Sequence, residues 1–215
     1  MDIKPPFYNP PYDSPLEDDF AFNITKYLEP SLSLVPQYEV DTICGKFRID
    51  FVVQGPGGLT GFECDGKEFH DRSRDEWRDA MILGTKTVNA IYRLRGSDVY
   101  YRIEDILYLV SKWNPELFSM RGLLNLETLA SDEVKAAEME VPRSIAIVTY
   151  KTEYLAGLRN EPVHLRMERR HLQSPRGKRQ FWEAAFRFAS EIGGGNLDDV
   201  IAQYRAQKIG SEPGW

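Results

Sequence analysis

Two short runs constrain this chain most: Arg48-Ile49-Asp50-Phe51-Val52-Val53 and Phe62-Glu63-Cys64-Asp65-Gly66-Lys67-Glu68-Phe69-His70, joined across Gln54-Gly55-Pro56-Gly57-Gly58. Apolar runs on either side of a Gly/Pro turn predict two paired strands. Both carry carboxylates where their neighbours argue for burial, although Asp is depleted in strands and an ionised carboxylate is costly to bury alone. A cation is therefore expected to meet Asp50 and Glu63. Glu63 and Asp65 lie two apart and share a face, with Cys64 on the other. In simple hairpin register Asp50 joins them. Such an oxygen-rich, strand-borne set suits Mg²⁺, with positions left open for water and phosphate. Asp50 could instead pair with Arg48 or Arg93, and Asp65, before Gly66, could be a turn residue.

Periodicity places these strands within a larger order. Ser14-Pro15-Leu16-Glu17 reads as an N-cap, Pro at the first helical position and Glu three residues after the cap, opening a helix towards residue 28. Residues 1–13, rich in Pro and aromatics, read as an extended arm. Strands are expected at 37–43, 47–53 and 60–65, a polar helix at 71–83 and a strand at 88–93. Val99, Ile103, Ile106, Val110 and Trp113 then keep helical spacing. The order is αβββαβα. Beyond Asn114-Pro115 the pattern predicts helices at 131–139, 176–192 and 197–207 and strands at 144–151 and 163–170.

Taken in order, Glu17, Asp50, Glu63-Cys64-Asp65-Gly66, His70, Arg78-Asp79 and Tyr92-Arg93 resemble the PD-(D/E)xK nuclease superfamily. Within it they resemble the small proteins related to very-short-patch-repair endonucleases. The resemblance covers residues 14–113. It implies a restriction-endonuclease-like αβββαβα core, a mixed central sheet flanked by helices, over residues 1–113, with residues 114–215 a C-terminal α+β module of no recognised family. It further implies a Mg²⁺-dependent endonuclease acting on DNA, in repair or in restriction and defence, with Mn²⁺ as a substitute ion. Asp50, Glu63 and Asp65 would be the metal ligands, and Glu17 and His70 would have catalytic roles. The superfamily's Lys is displaced here: counted from Glu63 its position holds Asp65, and counted from Asp65 it holds Lys67. Either Lys67 or His70 fills that role, His being a fit general base near neutral pH. Glu17 is equally explained as a capping-box partner. Gln37, a supporting residue in the family, is equally explained as a polar residue at a strand edge. The displaced Lys also keeps open a nuclease-fold protein that binds nucleic acid or a protein without cutting.

Charge bounds the partners. The chain of 215 residues carries a formal −6, yet residues 159–188 hold eight Lys or Arg against three Asp or Glu, a local +5. Arg166, Arg169, Arg170, Lys178 and Arg179 there form a candidate backbone clamp, or a solvated face. Arg74 and Arg78, on one side of a helix with His70, could contact phosphate or only lace a surface with ion pairs. DNA is the expected partner, RNA is left open, and the C-terminal module could dock a protein. Two cysteines, Cys44 and Cys64, far from a His pair, supply no zinc site and no disulfide framework. With no apolar run of spanning length and no signal peptide, no membrane partner is expected and the expected location is cytoplasmic.

Overall fold

Ser14 caps the first helix as its sequence predicts: its hydroxyl accepts the Glu17 amide at 3.2 Å, and Pro15 opens α1 (Pro15–Ile24). The helix stops short of residue 28, and Leu28, past its end, forms an antiparallel bridge with Phe118 far along the chain. A computed structural model describes residues 9–66, 72–137, 145–150, 163–173 and 181–210. After α1 come β1 (Leu34–Thr42), β2 (Gly45–Gly55) and β3 (Gly58–Asp65), then α2 (Arg72–Gly84) and β4 (Val88–Arg95). The turn between β1 and β2 uses Gly45 at φ +104°, a conformation that side chains with a Cβ resist.

The single helix expected over the stripe from Val99 to Trp113 is two. α3 (Gly96–Tyr101) and α4 (Ile103–Trp113) are separated by Arg102, whose φ of −142° is not helical. The apolar spacing survives the break, and Val99, Ile103, Ile106, Val110 and Trp113 are all buried. The helix α5 (Met120–Leu129), which periodicity did not predict, is capped by Ser119 through the Gly122 amide at 2.9 Å. A short α6 (Asp132–Lys135), strands β5 (Ile145–Tyr150) and β6 (Val163–His171), and helices α7 (Phe181–Glu191) and α8 (Leu197–Gly210) complete the order.

The molecule is an α/β fold with one six-stranded mixed sheet in the order β1-β2-β3-β4-β6-β5. Only β3 and β4 run parallel; the other neighbours are antiparallel. The sheet crosses residue 113, since β6 pairs directly with β4. One face packs on α1, α3 and α4 through Phe20, Phe51, Phe62 and Tyr92. The other packs on α2 through Ile49, Val52, Ile82 and Ile91, with α7 and α8 outside it around Trp77. Gly84 lets Phe186 of α7 lie where a Cβ would stand, so α7 sits close on α2. Among the described residues, no helix is long and apolar enough to cross a membrane.

Candidate active site

Side chains two apart on a regular strand share a face. Ile49 and Phe51 do not: Ile49 belongs to the core under α2, Phe51 to the core under α1, where it meets Phe20 at 5.5 Å. The partner strand shifts at the same level. Tyr38 packs beneath α2 and Leu34 beneath α1, and between them Gln37 has φ +52°. Ladder pairing resumes on both sides, Pro36 with Phe51 and Tyr38 with Ile49. Both strands thus roll over at Gln37 and Asp50. The roll turns the Asp50 carboxylate edgewise towards β3, where Oδ2 accepts the Cys64 amide at 2.8 Å. The β2–β3 ladder ends at Phe51 and Phe62, so this side chain stands in for a main-chain acceptor.

Glu17 reaches the same place from α1. It is buried, its Oε1 accepts the Ser14 hydroxyl at 3.0 Å, and its Oε2 accepts Gln37 Nε2 at 2.7 Å. One carboxylate therefore serves the helix cap with one oxygen and the strand with the other. Glu63 is also buried, and its Oε1 accepts Arg78 Nη2. Asp65 accepts Arg93 Nη1 at 2.9 Å. Burial pushes the Glu17 carboxyl above its usual range, and the charge of Asp50 pushes it further. Asp50 is raised by burial, against the pull of the Cys64 amide and Arg78. Glu63 is pushed up to about 8 by burial, Arg78 opposing. Cys64 sits among all four carboxylates, and its thiol is raised by burial and by each of them.

A frame of guanidinium groups surrounds the far side of the cluster. Arg93, 5% exposed, donates Nε and Nη2 to Asp79 at 2.8 and 3.0 Å as well as Nη1 to Asp65. Arg170 of β6 reaches the same Asp79 and bonds Glu168 at 3.1 Å. Beside Asp65 a cleft of about 510 Å³ opens, with Arg93, Arg95, Arg166 and Arg170 among its walls. The motif that contains Arg93 assigned it no site role. In the structure it is the hinge of the network.

The remaining candidates are dispersed. Arg74 pairs with Asp198 of α8 at 2.9 Å on the surface. Arg78 faces inward to Glu63 and the Arg48 carbonyl. Along β6, Arg166 and Arg170 face the cleft, whereas Arg169 is buried on the opposite face beside Trp113. The basic run is therefore not one surface, and strict alternation around Met167 was the signal for it. Lys67, His70, Lys178 and Arg179 lie outside the described residues.

Three acceptor oxygens of the cluster lack a donor among the described residues. Gln37 Oε1 is buried and unpartnered. Asp50 Oδ1 and Glu63 Oε2 have no bond beyond those made by their companion oxygens. Acceptors without donors, next to carboxylates that burial disfavours as anions, fit a hydrated cation: oxygen for the ion, Gln37 for one of its waters. Asp65 bonds Arg93 and Glu63 bonds Arg78, whereas Asp50 forms no ion pair among the described residues. Among the described residues no three His, Cys, Asp or Glu side chains are grouped to hold a metal ion by themselves. Mg²⁺ commonly takes one or two carboxylates and completes its shell with water and phosphate. No family model, curated protein or solved structure matches the chain.

Proposed function

We propose that the protein is a metal-dependent endonuclease that hydrolyses DNA phosphodiester bonds on a restriction-endonuclease-like core. The observation that carries this reading is a set of oxygens without a donor among the described residues, Gln37 Oε1, Asp50 Oδ1 and Glu63 Oε2, in a cluster whose fourth carboxylate, Asp65, lines an arginine-walled cleft. Asp50 and Glu63 would hold Mg²⁺ or Mn²⁺, with Asp65 keeping Arg93 in place. Bound there, the ion would polarise a phosphoryl oxygen and make a bound water more acidic. Glu17, aimed by Ser14 and Gln37, would orient an attacking water there. Arg95 and Arg166, more exposed than Arg93, receive the phosphate backbone in the cleft. His70 or Lys67 is the candidate for the superfamily's Lys role.

One observation favours a second reading, a nuclease-fold protein that binds nucleic acid or a protein without cutting: Arg78 already bonds Glu63 and supplies a cation from within the chain. Cleavage decides between them. Supercoiled, linear and single-stranded DNA, and RNA, are incubated with Mg²⁺ or Mn²⁺ and either the wild type or Asp50→Asn, whose side-chain oxygen can still accept the Cys64 amide. Cutting by the wild type and none by the variant supports the endonuclease. DNA binding without cutting by either protein supports the second reading.

A further inference from the structure

At the other end of β3 and β4 from Asp65, a second cavity of about 480 Å³ lies between the sheet and the end of α4. Its walls include Thr60, Trp113, Glu116, Arg169 and His171. Arg169 is 6% exposed and His171 1%. Among the described residues Arg169 Nε, Trp113 Nε1 and both ring nitrogens of His171 are buried without a hydrogen-bond partner. Buried polar groups are rarely left without a hydrogen-bond partner. Trp113, Arg169 and His171 all line this cavity, and their four orphan atoms are mostly donors: a guanidinium N–H, an indole N–H and one imidazole N–H, with the second imidazole nitrogen an acceptor.

Among the described residues no carboxylate forms an ion pair with Arg169. Its guanidinium instead lies over the rings of Trp113 and Tyr92 at 5.6 and 5.9 Å and hydrogen-bonds the Tyr92 side chain. A buried charge with no opposite charge beside it is costly for a fold to keep. The C-terminal end of α4 offers only partial negative charge. Glu116, at the wall, is exposed and bonded to Asn114 at 2.7 Å. His171 is held neutral, since burial and the charge of Arg169 lower its pKa to about 4. The positive charge to be matched is therefore a single one.

We propose that this cavity binds the carboxylate group of a small monoanionic ligand, with Arg169 and Trp113 as donors and His171 closing the contact. A dianion such as phosphate would bring a second charge against Glu116 and a neutral imidazole. This site is independent of the endonuclease reading, because none of its residues belongs to the carboxylate cluster.

The test is a titration of the full chain followed by the indole N–H resonance of Trp113, assigned with Trp113→Phe. Acetate and benzoate are the probes, inorganic phosphate is the control, and sodium chloride keeps ionic strength constant. The expected result is a saturable shift of the Trp113 signal with a carboxylate, while Trp77, in the core beneath α7, stays unmoved. Arg169→Gln should weaken the carboxylate by about tenfold or more, as loss of a charged donor implies. His171→Gln is the second variant should the first fail to fold. The proposal is overturned if no carboxylate gives a saturable shift, if phosphate gives the same shift, or if the folded variants bind as the wild type does.

Discussion

Replacing Asp79 by alanine removes the carboxylate that Arg93 and Arg170 share. Asp79 is wholly buried, accepts Arg93 at 2.8 and 3.0 Å and also accepts Arg170, so α2 is tied through it to both β4 and β6. Removing one partner of a buried pair costs about 3–5 kcal/mol, because the other charge is left in the interior. Arg93 would keep Asp65 at 2.9 Å and Asp75 at 3.6 Å, which places the expected loss at the lower end, about 3 kcal/mol. Urea unfolding of wild type and Asp79→Ala, with unchanged m-values, measures it.

The pH dependence supplies a check on the cause. Burial pushes the Asp79 carboxyl up, but Arg93, Arg170 and Arg78 together pull it below the ordinary 3.8. A depressed folded pKa contributes stability above the unfolded value and loses it as pH falls through the folded one. The gap between wild type and variant should therefore be constant near neutrality and narrow only below about pH 4. A loss under about 1 kcal/mol, within the range of surface ion pairs, would refute the view that Asp79 compensates buried guanidinium charge. So would a gap that closes near neutral pH.

Three further outcomes are expected. Glu17→Gln should keep the melting temperature within a few degrees, since Gln also serves a helix cap, and should cut the cleavage rate by tenfold or more; normal cleavage would leave Glu17 a cap residue. Neutralising Arg95 and Arg166 together should reduce the slope of log affinity against log salt by about 0.9 for each phosphate they engage; an unchanged slope would move the backbone interaction away from the cleft. Gln37→Gly relieves a left-handed backbone worth about 1–2 kcal/mol and loses a hydrogen bond of about 1 kcal/mol. Stability by urea unfolding should therefore be nearly unchanged while cleavage falls, and full cleavage would show that the Gln37 side chain is dispensable.

The strands and the Gly/Pro turn between β2 and β3 were legible because period-two patterning and Gly/Pro punctuation are local signals. Strand alternation put Glu63 and Asp65 on one face and the resemblance added Glu17, but the register that was to bring Asp50 beside them ends at Phe51 and Phe62. The choice of partners was not legible. Long arginine side chains reach several carboxylates, and nothing in the sequence separates Arg78 meeting Glu63 from Arg78 meeting phosphate. The placing of β6 between β4 and β5 also escaped a local reading, since it rests on pairing between residues far apart in the chain. Arg169 was legible in part: the alternation of Arg166, Glu168 and Arg170 with Met167, Arg169 and His171 assigns it to the other face. An apolar interior was the natural expectation for that face, and the cost of burying a guanidinium there is what marks the second cavity.

The roll of β1 and β2 is the feature that local rules could not supply, and it explains why a carboxylate survives in an apolar strand. With unbroken alternation, Ile49 and Phe51 would fill one core and Asp50 would point into the other, its charge against hydrocarbon. The left-handed residue at Gln37 rotates both strands between the two cores, so the position between Ile49 and Phe51 points along the sheet. There the Asp50 carboxylate finds a main-chain amide and not a hydrocarbon wall. The same rotation brings the Gln37 amide to Glu17. One strained residue thus resolves the burial problem of Asp50 and joins α1 to the strands, and backbone strain at such a position is common where a site must be held in place.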